Sequence, residues 1–197
     1  MHVRAVAAAL LVAGVLSAED GLTIYELLAP NTHKFLITYD VSTAVEGARF
    51  YLNPIRRGSR VSGESVIDLA TGKPLEWENI DGKTARESGL LSRDVPDDSL
   101  FLNVRLAYPV PKDGQARLRI IKTYEDAASY QGDEKQITFE RRLGIRRNVV
   151  VLPPGYELIE SSVAAIVDTQ ADGRIRVSAL NDRDDELPLK IRGRKLP

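Results

Sequence analysis

The sequence predicts an all-β protein with little helix: an antiparallel β-sandwich, or two such sandwiches in tandem. Three observations carry this. Apolar residues recur at every second position along most of the chain, as in half-buried strands. Glycine closes a series of short polar turns between those runs. No segment shows the 3.6-residue apolar period of an amphipathic helix.

Taken in order, Phe35, Ile37, Tyr39 and Val41 alternate with Leu36, Thr38 and Asp40. Leu100, Leu102, Val104, Leu106 and Tyr108 alternate with Phe101, Asn103, Arg105 and Ala107. Ala116, Leu118, Ile120 and Tyr124 lie opposite Arg117, Arg119, Ile121 and Thr123, while Ile137, Phe139 and Leu143 share a face that also carries Arg141. Turns are expected at Ala70-Thr71-Gly72-Lys73, Ile80-Asp81-Gly82-Lys83, Lys112-Asp113-Gly114-Gln115 and Ala171-Asp172-Gly173-Arg174, each with glycine at a positive φ. The last two read as hairpins, one joining the strand before Pro109 to the strand beginning near Arg117, the other joining residues 163–168 to 175–179. The pattern yields about ten to twelve strands. Residues 83–92 read as a short helix or an open loop.

The N-terminus reads as an export signal over residues 1–18. A short basic start containing Arg4 precedes the apolar run 5–15, and Leu16-Ser17-Ala18 offers small residues before Glu19-Asp20. As a helix that run rises about 16 Å, roughly half of a hydrocarbon core, so it is too short to span a membrane. Leu16 is large for its place before the cut, which leaves cleavage after Ser17 open as well. The rest is long enough to bury roughly 70% of its unfolded surface without disulfides. It divides into a β-sandwich over 19–126 and a second β subdomain, or a continuation of the same sandwich, over 127–197. The polar stretch 126–133 is the candidate seam. Export without a single cysteine suits a bacterial periplasmic or extracellular protein.

The inventory excludes several chemistries. With 27 basic and 28 acidic side chains, there is no net positive charge on which nucleic-acid binding could rest. Without cysteine there is no thiolate nucleophile or zinc–thiolate site. His33 is the single histidine beyond the signal and reads as a loop or strand-end residue. No Gly-x-Ser-x-Gly elbow or His-Glu-x-x-His helix is present. No cofactor is expected. Asp182, Asp184 and Glu186 alternate in an acidic turn and are the candidate calcium ligands, although Leu187 stands where an EF-hand needs glycine. Trp77, in Leu75-Glu76-Trp77-Glu78, is expected to point into the core.

The most distinctive local feature is basic. Arg141, Arg142, Arg146 and Arg147 fall within seven positions, with Arg117 and Arg119 as expected neighbours. They are the candidate surface for an anionic envelope polymer or an acidic protein. Because Arg141 and Arg142 must point to opposite faces of one strand, at most about half of the cluster can serve one surface. The competing reading is a solvated face balanced by Glu125, Glu134 and Glu140.

The strand Phe35-Leu36-Ile37-Thr38-Tyr39, the strand Ala48-Arg49-Phe50-Tyr51-Leu52-Asn53-Pro54, the segment from Val66 to Leu75 and the Leu118–Tyr124 strand follow one another in a layout. This layout is similar to the N-terminal, non-catalytic β domain of exported zinc aminopeptidases. The resemblance implies a stand-alone accessory β domain and not a peptidase, since the metal-bearing helix is missing from these residues.

The expected function is therefore a non-enzymatic binding or accessory β module of the bacterial cell envelope. The alternatives are a hydrolase using an acidic pair that sequence does not reveal, and a structural partner that pairs through a sheet edge. N-terminal sequencing of protein recovered from the producing cell is expected to start near Glu19. An intact Met1 on a cytoplasmic species would overturn the export reading.

Overall fold

The computed structural model describes residues 21–91 and 95–197; the expected export signal lies outside the described residues. In chain order the strands are β1 (Leu22–Leu27), β2 (Lys34–Thr43), β3 (Phe50–Ile55), β4 (Arg60–Asp68), β5 (Trp77–Asp81), β6 (Leu100–Arg105) and β7 (Ala116–Glu125). They continue as β8 (Tyr130–Gly132), β9 (Gln136–Leu143), β10 (Arg147–Val151), β11 (Tyr156–Ser161), β12 (Ile166–Thr169), β13 (Ile175–Leu180) and β14 (Leu187–Lys195). One short helix, α1 (Gly82–Glu87), and a single 3-10 turn at Pro30–Thr32 complete the described elements. The all-β architecture expected from the alternation is the one observed.

The strands form three sheets. The long one has the order β12-β13-β10-β1-β2-β7-β4, a second runs β11-β14-β9-β8, and a third runs β3-β6-β5. Every pairing between named strands is antiparallel except that of β1 with β10, which is parallel. A parallel strand in the middle of a sheet is covered on both faces and carries a continuous apolar run. Val149, Val150 and Val151 are that run, all buried.

Both smaller sheets cover the same face of the long sheet. Along β2, Phe35 and Ile37 pack into one core with Phe139, Leu143, Leu189 and Ile191, from β9 and β14. Two positions past Tyr39, Val41 packs into a second core with Leu102 and Val104 of β6. These β2 residues share one parity, and so share one face. Strand β7 repeats the division, with Tyr124 in the first core and Leu118 and Ile120 in the second. The far side of the three-stranded sheet is covered by α1 and its neighbours, where Ile80, Ala85 and Phe101 are buried together.

Several local expectations change in the fold. Gly72 and Gly173 do adopt positive φ, but Gly82 and Gly114 do not. Gly82 opens α1, and a Cβ there would collide with the Pro96 carbonyl oxygen. In the next turn Asp113 takes the positive φ of 56° instead. The expected hairpin across Asp113-Gly114 is not formed: β6 belongs to the three-stranded sheet and β7 to the long one. Proline cannot donate to a ladder, and Pro109 and Pro111 end the pairing before the chain can fold back. The later hairpin is formed, with Thr169 opposite Ile175 and the Gln170 amide donating to the Arg174 carbonyl. The polar stretch 126–133 contains buried Asp126, Ser129 and Tyr130, and the long sheet draws strands from both sides of it.

The main core is centred on four aromatic rings. Phe35 and Phe139 meet edge-on at 5.5 Å between centroids, with Tyr25 at 5.4 Å from Phe139 and Tyr124 at 6.0 Å from Phe35. Phe139 is fully buried, so Phe139→Ala is expected to cost about 3–5 kcal/mol in urea unfolding. Ile166→Ala, on an edge strand and 72% exposed, should change stability by less than about 0.5 kcal/mol in the same experiment.

Candidate functional site

Where the two covering sheets part, a cavity of about 370 Å³ opens on the shared face of the long sheet. Its walls include Thr23 and Tyr25 of β1, Tyr39 of β2, Asn53 of β3, Lys122 of β7 and Arg141 of β9. No carboxylate is among its described lining residues. The alternation of β7 carries Lys122 inward on the row of Leu118, Ile120 and Tyr124. In the same way β9 carries Arg141 inward with Ile137, Phe139 and Leu143. Two cations are thus built into apolar rows.

Arg141 is 9% exposed and balanced on one side. Its Nη1 lies 3.2 Å from Asp126 Oδ2 and donates also to Ser129 Oγ at 3.2 Å. Its guanidinium sits 5.4–5.7 Å from the ring centroids of Tyr25, Phe35 and Tyr124. Asp126 accepts further bonds from Ser129 Oγ (2.7 Å), Ser59 Oγ (3.0 Å) and the Ala128 and Ser129 amides. Burial pushes the Asp126 carboxyl up, but the bonds from Ser129 and Ser59 and the charge of Arg141 outweigh it and hold it below the usual range.

Lys122 is more isolated. It is 4% exposed, its Nζ donates to Asn53 Oδ1 at 2.5 Å, and it lies 5.0 Å from the Tyr124 ring centroid. Among the described residues it forms no ion pair. Burial, and then the charge of Arg141, push its amine down to about 8, with Glu64 opposing. Thr23 Oγ1, on the same wall, is buried and makes no hydrogen bond. A cavity holding two cations, a spare hydroxyl and three phenol rings is suited to receive a carboxylate or phosphate group.

The arginines expected to share one surface are dispersed. Arg141 is buried and therefore cannot meet a partner from the outer surface of its sheet; the inward row of β9 takes it. Arg142 faces out from the four-stranded sheet and pairs with Glu186 at 3.0 Å. Arg117 and Arg119 lie on the opposite outer face, that of the long sheet, where Arg119 makes two 2.7 Å bonds to Asp40 and Arg117 stands across from Ser42. Arg146 and Arg147 are exposed at the start of β10, with Arg147 Nε donating to the Gly21 carbonyl. The structure thus gathers at most pairs of these side chains.

In the acidic turn, Arg183 pairs with Asp185 at 2.6 Å, Glu186 is taken by Arg142, and Asp182 and Asp184 are exposed. Among the described residues no group of three or more acidic or histidine side chains is arranged to hold a metal ion. Of the candidate calcium ligands Asp182, Asp184 and Glu186, the turn thus pairs Glu186 with an arginine and leaves the other two exposed. His33 ends the 3-10 turn with φ 54° and places Nδ1 3.0 Å from the Tyr130 carbonyl oxygen. Trp77 is not in the core: it is 37% exposed at the rim of a separate groove. Lys122 was the missed residue; its signal was a lysine at the one polar position of the inward row of β7.

No protein-family model matches the sequence, and no curated protein matches it. Solved structures do match the fold. An M1 zinc metallopeptidase from Deinococcus radiodurans is similar at 13% identity and a TM-score of 0.52, over 88% of this chain and 41% of its own. A two-domain M1 zinc metallopeptidase mutant bound to L-tryptophan gives 0.53 at 13% identity over the same shares. An aminopeptidase N family protein from Idiomarina loihiensis gives 0.50 at 11% identity, over 88% of this chain and 29% of its own. The chain therefore spans less than half the length of these proteins, and the expected resemblance to one β part of zinc aminopeptidases is found in the fold.

Lys122 sets a pH dependence. Its folded value of about 8 lies below the ordinary 10.5, so between those values the unfolded chain binds more protons and stability rises with pH. The full gain is about 3 kcal/mol, present above the unfolded value and lost as pH falls through about 8. Tyr25, Tyr51 and Tyr124, raised by burial, act in the opposite direction, and their contribution declines above about pH 10. Urea unfolding between pH 7 and 10 should show the rise in the natural chain and not in Lys122→Met. Equal slopes would mean that Lys122 is not a buried ammonium.

Proposed function

We propose that this chain is an exported accessory β module of the bacterial cell envelope, and that it holds an anionic group in the Lys122–Arg141 cavity. The observation that carries this reading is the pair of buried cations, 4% and 9% exposed, which face one cavity whose described lining includes no acid. Buried charge is retained at a cost unless something compensates it. Asp126, which Arg56 also approaches at 3.9 Å, compensates Arg141 in part. Lys122 has a hydrogen bond to Asn53, the Tyr124 ring and the charge of Glu64, but no ion pair among the described residues. A carboxylate or phosphate entering the cavity would supply the missing charge and give Thr23 Oγ1 an acceptor. Its source is an anionic envelope polymer, with an acidic protein side chain as the alternative. The likeness in fold to one part of the M1 zinc metallopeptidases is compatible with an accessory β module. The acid-pair hydrolase gains no such support, because the walls of this cavity are cationic.

A second reading has its own observation. Strand β12 is an edge of the long sheet and all four of its residues are exposed, Ile166 at 72% and Val167 at 49%. An unprotected edge of that kind can add a strand from a partner.

Thermal unfolding in the presence of inorganic phosphate or citrate tests the cavity. A ligand that binds only the folded state raises its stability in proportion to RT ln(1 + [L]/Kd), about 2.7 kcal/mol at a hundredfold excess over Kd. The natural protein should be stabilised, less so at higher salt. Lys122→Met should lose most of the effect, and an Arg146→Ala, Arg147→Ala variant should keep it. Loss in the double variant alone would move recognition to the exposed arginines. Absence of any effect with phosphate, citrate and isolated envelope polymer would overturn anion binding.

A further inference from the structure

At the open end of the three-stranded sheet, independent of the cationic cavity, lies a groove of about 480 Å³. Its lining includes Phe50 of β3, Glu78 of β5 and Asn103 and Arg105 of β6, which share one face of the sheet by register, with Tyr108 from the segment after β6. Trp77, paired with Val104 on the other face, borders it at the β5 edge. Its three aromatic rings are unusually open for their size, at 37% for Trp77, 41% for Phe50 and 46% for Tyr108. Aromatic side chains are normally sequestered, and exposed rings bordering one concavity mark a ligand surface.

The polar groups are equally specific. Asn103 is 5% exposed; its Nδ2 donates to Glu78 Oε1 at 3.1 Å, while its Oδ1 is buried without any hydrogen-bond partner. Buried polar atoms in native folds are nearly always paired, so an orphan acceptor on a groove wall calls for a donor from outside. Charge narrows the choice. Arg49 and Arg105 are matched by Glu76 and Glu78, and Arg105 already lies 3.5 Å from Glu76, so the groove offers no net attraction to an ion.

We propose that this groove binds a neutral carbohydrate. A pyranose ring has an apolar C–H face, which packs on an aromatic ring, and an equatorial edge of hydroxyl donors. Phe50 and Tyr108 supply the first contact, with Trp77 at the rim; Asn103 Oδ1 and the Glu78 carboxylate accept from the second, and Arg105 donates to a ring or hydroxyl oxygen. A purely apolar ligand would leave Asn103 Oδ1 unpaired, and an anion would face Glu76 and Glu78. The volume lies within the range of small-ligand sites, about 300–1,000 Å³.

Trp77 is the only tryptophan in the sequence, so intrinsic fluorescence reads this groove alone. Titration of the full chain with tetramers of β-1,4-linked glucose and of N-acetylglucosamine should shift and saturate the emission with at least one of them. Tyr108→Ala, at an exposed position, should weaken the response at least about tenfold, and Asn103→Leu likewise. Lys122→Met should leave it unchanged, which separates this site from the anion cavity. No saturable response to either tetramer through about 10 mM, a response only to an acidic tetramer such as oligogalacturonate, or equal affinity in Tyr108→Ala and the natural chain would each overturn the proposal.

Discussion

Arg141 is a guanidinium enclosed by three aromatic rings, and its charge has to be balanced inside the fold. Asp126 provides that balance from the bend after β7, and is itself held by Ser59, Ser129 and two backbone amides. The network therefore ties together the four-stranded sheet through β9, the long sheet through β7 and Tyr25, and the β3–β4 connection through Ser59. It fixes the angle at which one covering sheet lies on the long one. A hydrogen bond of Tyr130 OH to the Leu28 carbonyl locks the same seam farther out, and one of Tyr156 OH to the Asp133 carbonyl ties β11 to the turn after β8 within the four-stranded sheet.

With one covering sheet held in that way and the other held by the Leu102–Val104–Leu118–Ile120 core, the two cannot close over the face they share. The gap between them is where Lys122 and Arg141 meet open space. A salt bridge in this position contributes little net stability, since desolvation offsets most of the attraction. In the proposed reading it is part of a charge arrangement that an anion would complete. The aromatic groove on the other small sheet follows a different logic, with balanced charges and exposed rings, so the two concavities are suited to different chemistries.

Much of the architecture is readable from the order of residues. Period-two alternation in β2, β7 and β9 states which side chains face inward, and even the unusual inward place of Arg141 follows from its parity with Phe139 and Leu143. The Asp172-Gly173 hairpin follows equally directly, because its turn and both strands are local. The Asp113-Gly114 turn carries the same local signal but leads between sheets, since pairing of β6 with β3 and β5 is settled by distant partners. The parallel contact of β1 with β10 is likewise a long-range pairing with no local signature.

The site was less legible for the same reason. Local density made Arg141, Arg142, Arg146 and Arg147 look like one patch, but strand geometry sends neighbours to opposite faces and a turn separates the rest. Lys122 and Arg141 lie far apart in sequence on strands of different sheets; nothing short of the packed structure brings them to one cavity. Trp77 shows the other side of this limit, because alternation assigns a face to a strand residue but does not say whether another layer covers it. By itself the sequence determined the strand class, the inward rows and the local turns, all governed by backbone geometry and residues a few positions apart. Which strands pair, which faces are covered and which charges meet were decided only by the tertiary structure, because those depend on contacts between segments that the chain order leaves unrelated.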